Sequence, residues 1–242
     1  MSERTAATRQ GPAGVPARVA AVRRRIAAAA GRAGRDPAEV TLVAAAKLQP
    51  VAAVRAAVAA GVPDIGENYA QELTAKTAAV DGARWHFIGR LQRNKARALV
   101  AANALVHSLD SLASARALGR RALEAGTVAR ALVQVELDER AAAHGVPVGG
   151  LDDFIAACRA VEGLELGGLM LVPAPAASAE DERPVFRRLA ELAKRLEPGM
   201  RGLSMGMTAD FEVAVEEGAT LVRVGTAVFG PRPESPAKGG AG

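Results

Sequence analysis

The feature that most constrains the fold is a regular alternation of short apolar segments with helical segments, which begins at Thr41 and continues almost to the last residue. The apolar segments lack the in–out alternation of half-exposed strands, as is typical of parallel strands covered on both faces. Eight strand–helix units close naturally into a barrel, and such a barrel needs about 250 residues. We therefore predict an α/β chain with a single (β/α)8 TIM-type barrel. An open, doubly wound sheet is the alternative.

The predicted elements divide the chain into three parts. The expected strands cover residues 41–46, 64–66, 85–89, 105–109, 131–137, 164–171, 202–205 and 220–224. An extra helix before them is indicated by four apolar residues at helical spacing, Val15, Val19, Val22 and Ile26. We thus predict a disordered tail over residues 1–14, the barrel with its N-terminal helix over 15–230, and a second disordered tail over 231–242.

The composition narrows the classes of partner. The chain has 31 Lys and Arg against 26 Asp and Glu, a net charge of +5. The basic residues are spread over many segments without interleaved aromatics, which indicates a solvated basic surface and no nucleic-acid partner. A single cysteine, Cys158, excludes an internal disulfide and a multi-cysteine metal site. No apolar run reaches the ~18 residues of a membrane span, so we expect a cytoplasmic protein without a membrane partner.

Two glycine-bearing turns follow the last two predicted strands. Ser204 and Gly206 belong to the first turn, and Gly225 and Thr226 belong to the second. Glycine allows a ligand to approach the backbone closely, while hydroxyl and free N–H groups can donate to a phosphate. In (β/α)8 barrels phosphate is often bound by the loops after strands 7 and 8. The two turns therefore predict one phosphate held from two sides.

Lys47 directly follows the first predicted strand, at the end of the barrel where functional residues lie. The three alanines before it would give it apolar surroundings, and desolvation favours the neutral, nucleophilic amine. A lone lysine in such a loop is more often a surface residue. Together with a phosphate site across the barrel, however, an amine at this position fits a phosphorylated aldehyde.

Three further polar residues lie on or near strand ends. Arg223 stands in an apolar strand, where a guanidinium needs a partner; it can form a structural salt bridge or donate to a ligand, and the pattern leaves its direction open. Asn68 can contact a ligand or cap the next helix, and His86 can be a ligand contact or a core histidine. Asp110 is expected to cap the helix after the fourth strand. The histidines show no metal-site spacing, and the sequence contains neither a P-loop nor a Rossmann motif.

These residues together resemble the pyridoxal phosphate homeostasis proteins, which are relatives of the N-terminal barrel of alanine racemase. The matching segments are Ala-Ala-Lys at 45–47, Gly-Glu-Asn-Tyr-Ala-Gln-Glu at 66–72, Trp-His-Phe-Ile-Gly-Arg-Leu-Gln-Arg-Asn-Lys at 85–95, Gly-Leu-Met at 168–170, and the stretch 204–230. They span nearly the whole chain in the expected order, and the runs at 85–95 and 204–230 are highly specific.

The resemblance implies a site and a role. Lys47 would form a Schiff base with pyridoxal 5'-phosphate, the cofactor. The phosphate would be held by Ser204, Gly206, Gly225 and Thr226. Arg223 would face the pyridine nitrogen, and Asn68 and His86 would line the site. The chain would hold the cofactor reversibly for intracellular pyridoxal phosphate homeostasis, without robust catalysis, and would deliver it to apo-enzymes that depend on pyridoxal phosphate. We expect a monomer.

Some positions depart from the family pattern. Ala46 stands where a serine often precedes the lysine, and Ala143 stands where relatives often carry a lysine, so any role of that lysine in cofactor transfer does not carry over. Thr208 replaces a serine at the start of a helix, a conservative change for a cap.

Two enzyme functions remain as alternatives to a binding protein. An amino-acid racemase of the alanine racemase type needs a second base on the opposite face of the substrate, and in those enzymes a separate C-terminal domain supplies it. The only tyrosine here is Tyr69, in the motif beside Asn68. A Schiff-base aldolase would need a further proton-transfer group beside Lys47, and the sequence indicates none.

Overall fold

The computed structural model describes residues 11–137, 144–174, 176–196 and 199–231, and its centre is a closed ring of parallel strands. The strands are β1 (Thr41–Ala45), β2 (Asp64–Glu67), β3 (Arg84–Phe87), β4 (Leu105–Leu109), β5 (Ala129–Glu136), β6 (Val146–Pro147), β7 (Leu164–Met170), β8 (Gly202–Ser204) and β9 (Leu221–Val224). The two-residue β6 pairs with β5 alone. The other eight form the barrel.

The ring closes through the pairing of its first and last strands. β1 lies beside β2 on one side and beside β9 on the other, with Leu42 opposite Val222. The remaining order is β2–β3–β4–β5–β7–β8–β9, and every pairing is parallel. The (β/α)8 prediction is therefore confirmed, and the open sheet is wrong.

Helices alternate with the strands and cover the barrel. They are α1 (Val15–Arg32), α2 (Val51–Ala59), α3 (Ala70–Thr77), α4 (Ala96–Ala101), α5 (Leu112–Glu124), α6 (Leu151–Arg159), α7 (Arg183–Ala193), α8 (Phe211–Glu216) and α9 (Thr226–Phe229). Small side chains dominate the core, and Cys158 on α6 is fully buried there. Burial raises the pKa of its thiol to about 11, so the cysteine acts as a small apolar residue.

The N-terminal helix α1 is part of the fold, as its spacing predicts. Its apolar stripe is buried, with Val15 fully inaccessible, and the helix packs against α8 and α9. The side chain of Arg18 donates hydrogen bonds to the carbonyl oxygens of Val228 and Phe229, at 2.9 and 3.0 Å. This contact holds the C-terminal end of α9 from outside the barrel. A 3-10 turn, Pro12–Gly14, leads into α1, within the range 1–14 that the sequence analysis assigns to a tail; residues 1–10 and 232–242 lie outside the described residues.

The expected cap at Asp110 is wrong, and of the two alternatives for Asn68 the helix cap is excluded. The N-cap of α5 is Ser111, whose hydroxyl accepts from the Ser114 N–H, and not Asp110. The N-cap of α3 is Tyr69, with no side-chain capping bond, so Asn68 is not a cap. β4 ends at Leu109, as predicted, and the capping residue is the second one after it, whereas β2 extends one residue further than predicted, to Glu67. Among the described helices, none is long and apolar enough to cross a membrane.

Candidate functional site

A cavity of about 710 Å³ opens at the end of the barrel where the strands end. Its walls come from the segments that follow β1, β2, β3, β4, β7, β8 and β9, with further residues from β5 and the loop beyond it. Lys47, Asn68, Arg223, Gly225 and Thr226 all lie in this lining. Five of the eight residues predicted from the sequence are thus brought to one cavity.

Lys47 lies in the turn after β1 and is half-buried. Its Nζ lies 5.2 Å from the centroid of the Tyr69 ring, a distance at which a cation and an aromatic face attract each other. The next residue, Leu48, has φ +61, a conformation that costs an ordinary side chain free energy. Such a turn persists only where its surroundings hold it.

The peptide groups on both sides of Lys47 are held by an ionic triad, which consists of the buried Lys76 and Glu67 and the partly exposed Glu72. Lys76 Nζ donates to the carbonyl oxygen of Ala46 at 2.9 Å, and the Leu48 N–H donates to Glu72 Oε2 at 2.9 Å. The backbone of the turn that carries the Lys47 side chain is therefore fixed by two hydrogen bonds to charged groups. Such bonds are stronger than hydrogen bonds between neutral groups.

Within the triad, the Lys76 ammonium lies between the two carboxylates. Lys76 Nζ is 2.6 Å from Glu67 Oε1 and 2.8 Å from Glu72 Oε2. The Glu67 side chain is fully buried, and its burial raises the pKa of the carboxyl group, against the opposing effect of Lys76. Sequence reasoning missed Lys76. Its i+4 spacing from Glu72 was a signal for a helix pair, but nothing in the sequence placed that pair under Lys47.

Arg223 points into the barrel, which settles the direction that the sequence left open. Its guanidinium donates to Ser204 Oγ at 2.6 Å and to the carbonyl oxygen of Leu171 at 2.8 Å. Among the described residues no carboxylate lies within ion-pair distance of it, so the salt bridge with an inward glutamate is wrong. Burial lowers the pKa of Arg223 to about 10, although Asp210 opposes the shift. The side chain is therefore a cation at neutral pH, with further N–H donors beside the cavity.

Ser204 does not lie where a phosphate ligand is expected. It is fully buried, and its hydroxyl is engaged by Arg223 and by His107 Nδ1, at 2.8 Å. The cavity lining contains Thr208 instead, four residues further on. Because β8 ends at Ser204 with the side chain pointing inward, the turn after the strand carries the next hydroxyl to the rim.

The remaining turn residues divide into two roles. The Gly225 N–H donates to Thr208 Oγ1 at 3.3 Å, so the turns after β8 and β9 meet at the cavity. Thr226 begins α9, and first-turn N–H groups have no partner within a helix. Gly206 lies outside the lining. It has φ +87, and a Cβ there would stand 2.5 Å from Ala214 Cβ, so this glycine is needed for packing on α8.

Asn68 lies at the cavity, whereas His86 does not. Asn68 lines the cavity, and its carbonyl oxygen lies so close to Gly89 that a Cβ there would approach it to 2.0 Å. His86 is buried inside the barrel and is absent from the lining. Its Nδ1 lies 2.9 Å from His107 Nε2, and its Nε2 lies 3.0 Å from Asp64 Oδ1. Of the two readings of His86, the core histidine is the one this position supports.

The donor set around the cavity suits a small anionic carbonyl compound. One wall presents a primary amine, another presents two hydroxyls and the N–H groups that open α9, and Arg223 supplies a buried cation between them. Among the described residues, no group of three or more His, Cys, Asp or Glu side chains could hold a metal ion. The residues present therefore fit pyridoxal phosphate, which carries an aldehyde, a phosphate and a ring nitrogen that can accept a hydrogen bond.

Comparison with known proteins gives a family for this arrangement. Residues 18–233 match the family model described as alanine racemase, N-terminal domain. A pyridoxal phosphate homeostasis protein of Pseudomonas aeruginosa is 42% identical over 216 residues, which cover 88% of this chain and 94% of that protein. A protein of the same name from Escherichia coli is 37% identical over 222 residues, 88% of this chain and 95% of that one. The chain belongs to the pyridoxal phosphate homeostasis protein family.

Solved structures agree with this membership. PipY of Synechococcus elongatus, in a structure with pyridoxal phosphate bound, is 33% identical, with a TM-score of 0.78 over 89% of this chain and all of that one. Alanine racemase of Clostridium difficile is 12% identical with a TM-score of 0.65, and the match covers 88% of this chain but 60% of the enzyme. That likeness shows the fold alone. Ala143, where homeostasis proteins often carry a lysine, lies outside the described residues.

Proposed function

We propose that this protein binds pyridoxal phosphate and serves in its homeostasis. The observation that carries the proposal is a single cavity with the Lys47 amine at one wall and the Thr208, Gly225 and Thr226 turns at another. Two comparisons support the proposal. The relatives that match most of the chain are named pyridoxal phosphate homeostasis proteins, and the similar structure of PipY contains bound pyridoxal phosphate.

Lys47 is the proposed attachment residue. When bound, pyridoxal phosphate would supply an aldehyde, which a primary amine can hold as a Schiff base with loss of one water. Lys47 supplies the amine, and the ionic triad beneath it fixes the turn from which the side chain reaches into the cavity. Because a Schiff base exchanges with water and with other amines, this attachment is reversible, as a protein that stores and releases a cofactor requires.

The phosphate is proposed to lie against the turns after β8 and β9. Thr208 and Thr226 provide hydroxyl donors there, and the first turn of α9 provides backbone N–H groups. α9 is short, but Arg18 holds its far end. This assignment replaces Ser204 and Gly206 of the sequence-based set with Thr208, because the first two lie outside the cavity lining.

Arg223 is proposed to face the ring nitrogen, with Asn68 beside the ring. A guanidinium that is always charged can only donate, so it holds the ring nitrogen as an acceptor. An unprotonated ring is a weaker electron sink, and this disfavours carbanion chemistry at the site. We propose on this basis that the protein holds the cofactor without robust catalysis.

The position of Tyr69 supports the same view. Racemisation needs an acid and a base on opposite faces of the substrate. The one tyrosine of the chain lies against Lys47, and it is absent from the cavity lining. A racemase of the alanine racemase type is therefore the less favoured function.

The test is the visible spectrum of purified protein with added pyridoxal phosphate, before and after borohydride reduction. We expect wild-type protein to show Schiff-base absorbance and reduction to fix the cofactor on Lys47. Lys47→Ala should lose both signals, while Lys95→Ala, which changes a lysine outside the cavity lining, should keep them. Cofactor fixed mainly on Lys76 or Lys95 would refute the assignment.

A second assay separates holding from catalysis. Loaded protein should not racemise alanine or other amino acids, as followed by chiral chromatography. Turnover of about one per second or more, in the ordinary enzyme range, that disappears in Lys47→Ala would favour the racemase. Delivery to apo-enzymes belongs to the same proposal, and reactivation of a cofactor-free transaminase by loaded protein tests it.

A further inference from the structure

A continuous line of hydrogen bonds crosses the barrel interior from its far end to the cavity. Asp64, the first residue of β2, accepts from the exposed Arg84 and lies 3.0 Å from His86 Nε2. His86 Nδ1 lies 2.9 Å from His107 Nε2, and His107 Nδ1 lies 2.8 Å from Ser204 Oγ. Ser204 then accepts from Arg223 at 2.6 Å. All four residues between Arg84 and Arg223 are buried.

The two charged ends fix the direction of every bond. Arg223 can only donate, so Ser204 Oγ accepts from it. The hydroxyl proton of Ser204 is then donated to His107 Nδ1. A neutral His107 then carries its proton on Nε2 and donates to His86 Nδ1. His86 in turn carries its proton on Nε2 and donates to the Asp64 carboxylate. Donors and acceptors match at each step.

If every donor and acceptor between Ser204 and Asp64 were reversed, the Ser204 hydroxyl proton would have no acceptor among the described residues. If His107 donated from Nδ1, Ser204 Oγ would receive two donors, and the described residues offer its own proton no other acceptor. A buried donor without an acceptor costs about 1–3 kcal/mol. His86 would then need a second proton, which adds a cation near Arg223. Burial, together with the positive charge of Arg223, also holds the pKa of His107 well below its usual range.

We propose that Asp64, His86, His107 and Ser204 form a one-way hydrogen-bond relay that positions Arg223 for the cofactor ring, with Asp64 as its anionic end. The relay explains how a buried guanidinium that hydrogen-bonds to Ser204 and to the Leu171 carbonyl oxygen, and to no carboxylate among the described residues, is kept in place. Asp64 at the other end of the barrel acts on it through polarised bonds, in addition to the electrostatic attraction of Asp210. Asp64 is thus a positioning residue, and its effect on the cofactor rests on the proposed function.

The relay is tested first without cofactor, by long-range 1H–15N NMR of the histidine rings in the full chain at pH 7. We expect both His86 and His107 to be neutral Nε2–H tautomers. Asp64→Asn should change the tautomer signals of His107, which Asp64 does not touch, while Arg84→Gln should leave them unchanged. An Nδ1–H tautomer of His107 in the wild type, or no change at His107 in Asp64→Asn, would overturn the relay.

The second test measures the link to the ring nitrogen. Affinity is compared for pyridoxal phosphate and for an analogue with carbon in place of that nitrogen. Asp64→Asn should lower the preference for pyridoxal phosphate by about three- to tenfold, the range of one weakened hydrogen bond, and an unchanged preference would refute the positioning role. If wild-type protein bound neither compound, the proposed function would fail, while the NMR result would still decide the relay.

Discussion

Removal of Lys76 should both destabilise the fold and release the turn that carries Lys47. The Lys76 ammonium contacts three acceptors, Ala46 O at 2.9 Å, Glu67 Oε1 at 2.6 Å and Glu72 Oε2 at 2.8 Å. Breaking a buried pair by removing one partner costs about 3–5 kcal/mol, because an uncompensated charge stays behind. Since burial already raises the pKa of Glu67, this carboxylate can take up a proton and limit the loss. For Lys76→Met we therefore expect about 3 kcal/mol, a large part of a typical total of about 5–15 kcal/mol.

The assay is urea unfolding at pH 7, with borohydride fixation of pyridoxal phosphate on Lys47 as the second readout. Lys194→Met, at an exposed position, is the matched control and should change stability by less than about 0.5 kcal/mol. In Lys76→Met combined with Glu67→Gln, the buried unpaired charge of Glu67 is absent and only the partly exposed Glu72 loses its partner. The double variant should therefore be more stable than the sum of the two single changes predicts, by about 1–3 kcal/mol. A cost of Lys76→Met below about 1 kcal/mol, or strict additivity, would refute the view that the triad supports the Lys47 turn.

Three other outcomes follow from the geometry. Gly206→Ala should destabilise the protein by about 1–3 kcal/mol more than Gly34→Ala in urea unfolding. Both glycines have positive φ, but only at position 206 would the new Cβ meet other atoms. Equal costs of the two substitutions would contradict this. Thr208→Val and Thr226→Val should each weaken pyridoxal phosphate binding at least about tenfold in equilibrium dialysis, since a hydrogen bond to a charged group contributes about 1.5–3 kcal/mol. Unchanged affinity in both variants would exclude the phosphate from these turns. Burial alone would raise the pKa of Asp64, but hydrogen bonds from its histidine and arginine neighbours outweigh it and lower the pKa to about 2. This group therefore stabilises the fold fully above about pH 4 and loses on the order of 2 kcal/mol as pH falls towards 2, and Asp64→Asn should flatten that part of the acid unfolding curve.

The sequence was sufficient for the architecture because its signals are local. Each signal spans only a few residues: a continuous apolar run for a strand, helical spacing of apolar residues for a helix, and a glycine where a helix or strand ends. Eight repeats of this strand–helix pattern predict a barrel. The same reasoning placed Lys47, Gly225 and Thr226 at the strand ends, where a barrel gathers functional groups. The N-caps after β2 and β4 lie one residue later than the cap positions proposed from the sequence, because the residue that takes the N-cap conformation depends on how the connecting loop folds.

What the sequence by itself determined is thus the set of strands and helices, the barrel they form, and the end of the barrel where a phosphorylated aldehyde would bind. Only the tertiary structure decided which hydroxyl reaches the cavity, Thr208 or Ser204, and which way Arg223 points. It also joined Asp64 to Arg223 through two histidines, and it set Lys76 beneath Lys47. The physical reason is that a strand alternates its side chains between two faces, so inward or outward direction depends on the register and tilt of the closed ring. Those are properties of all eight strands together, and no short stretch of sequence contains them.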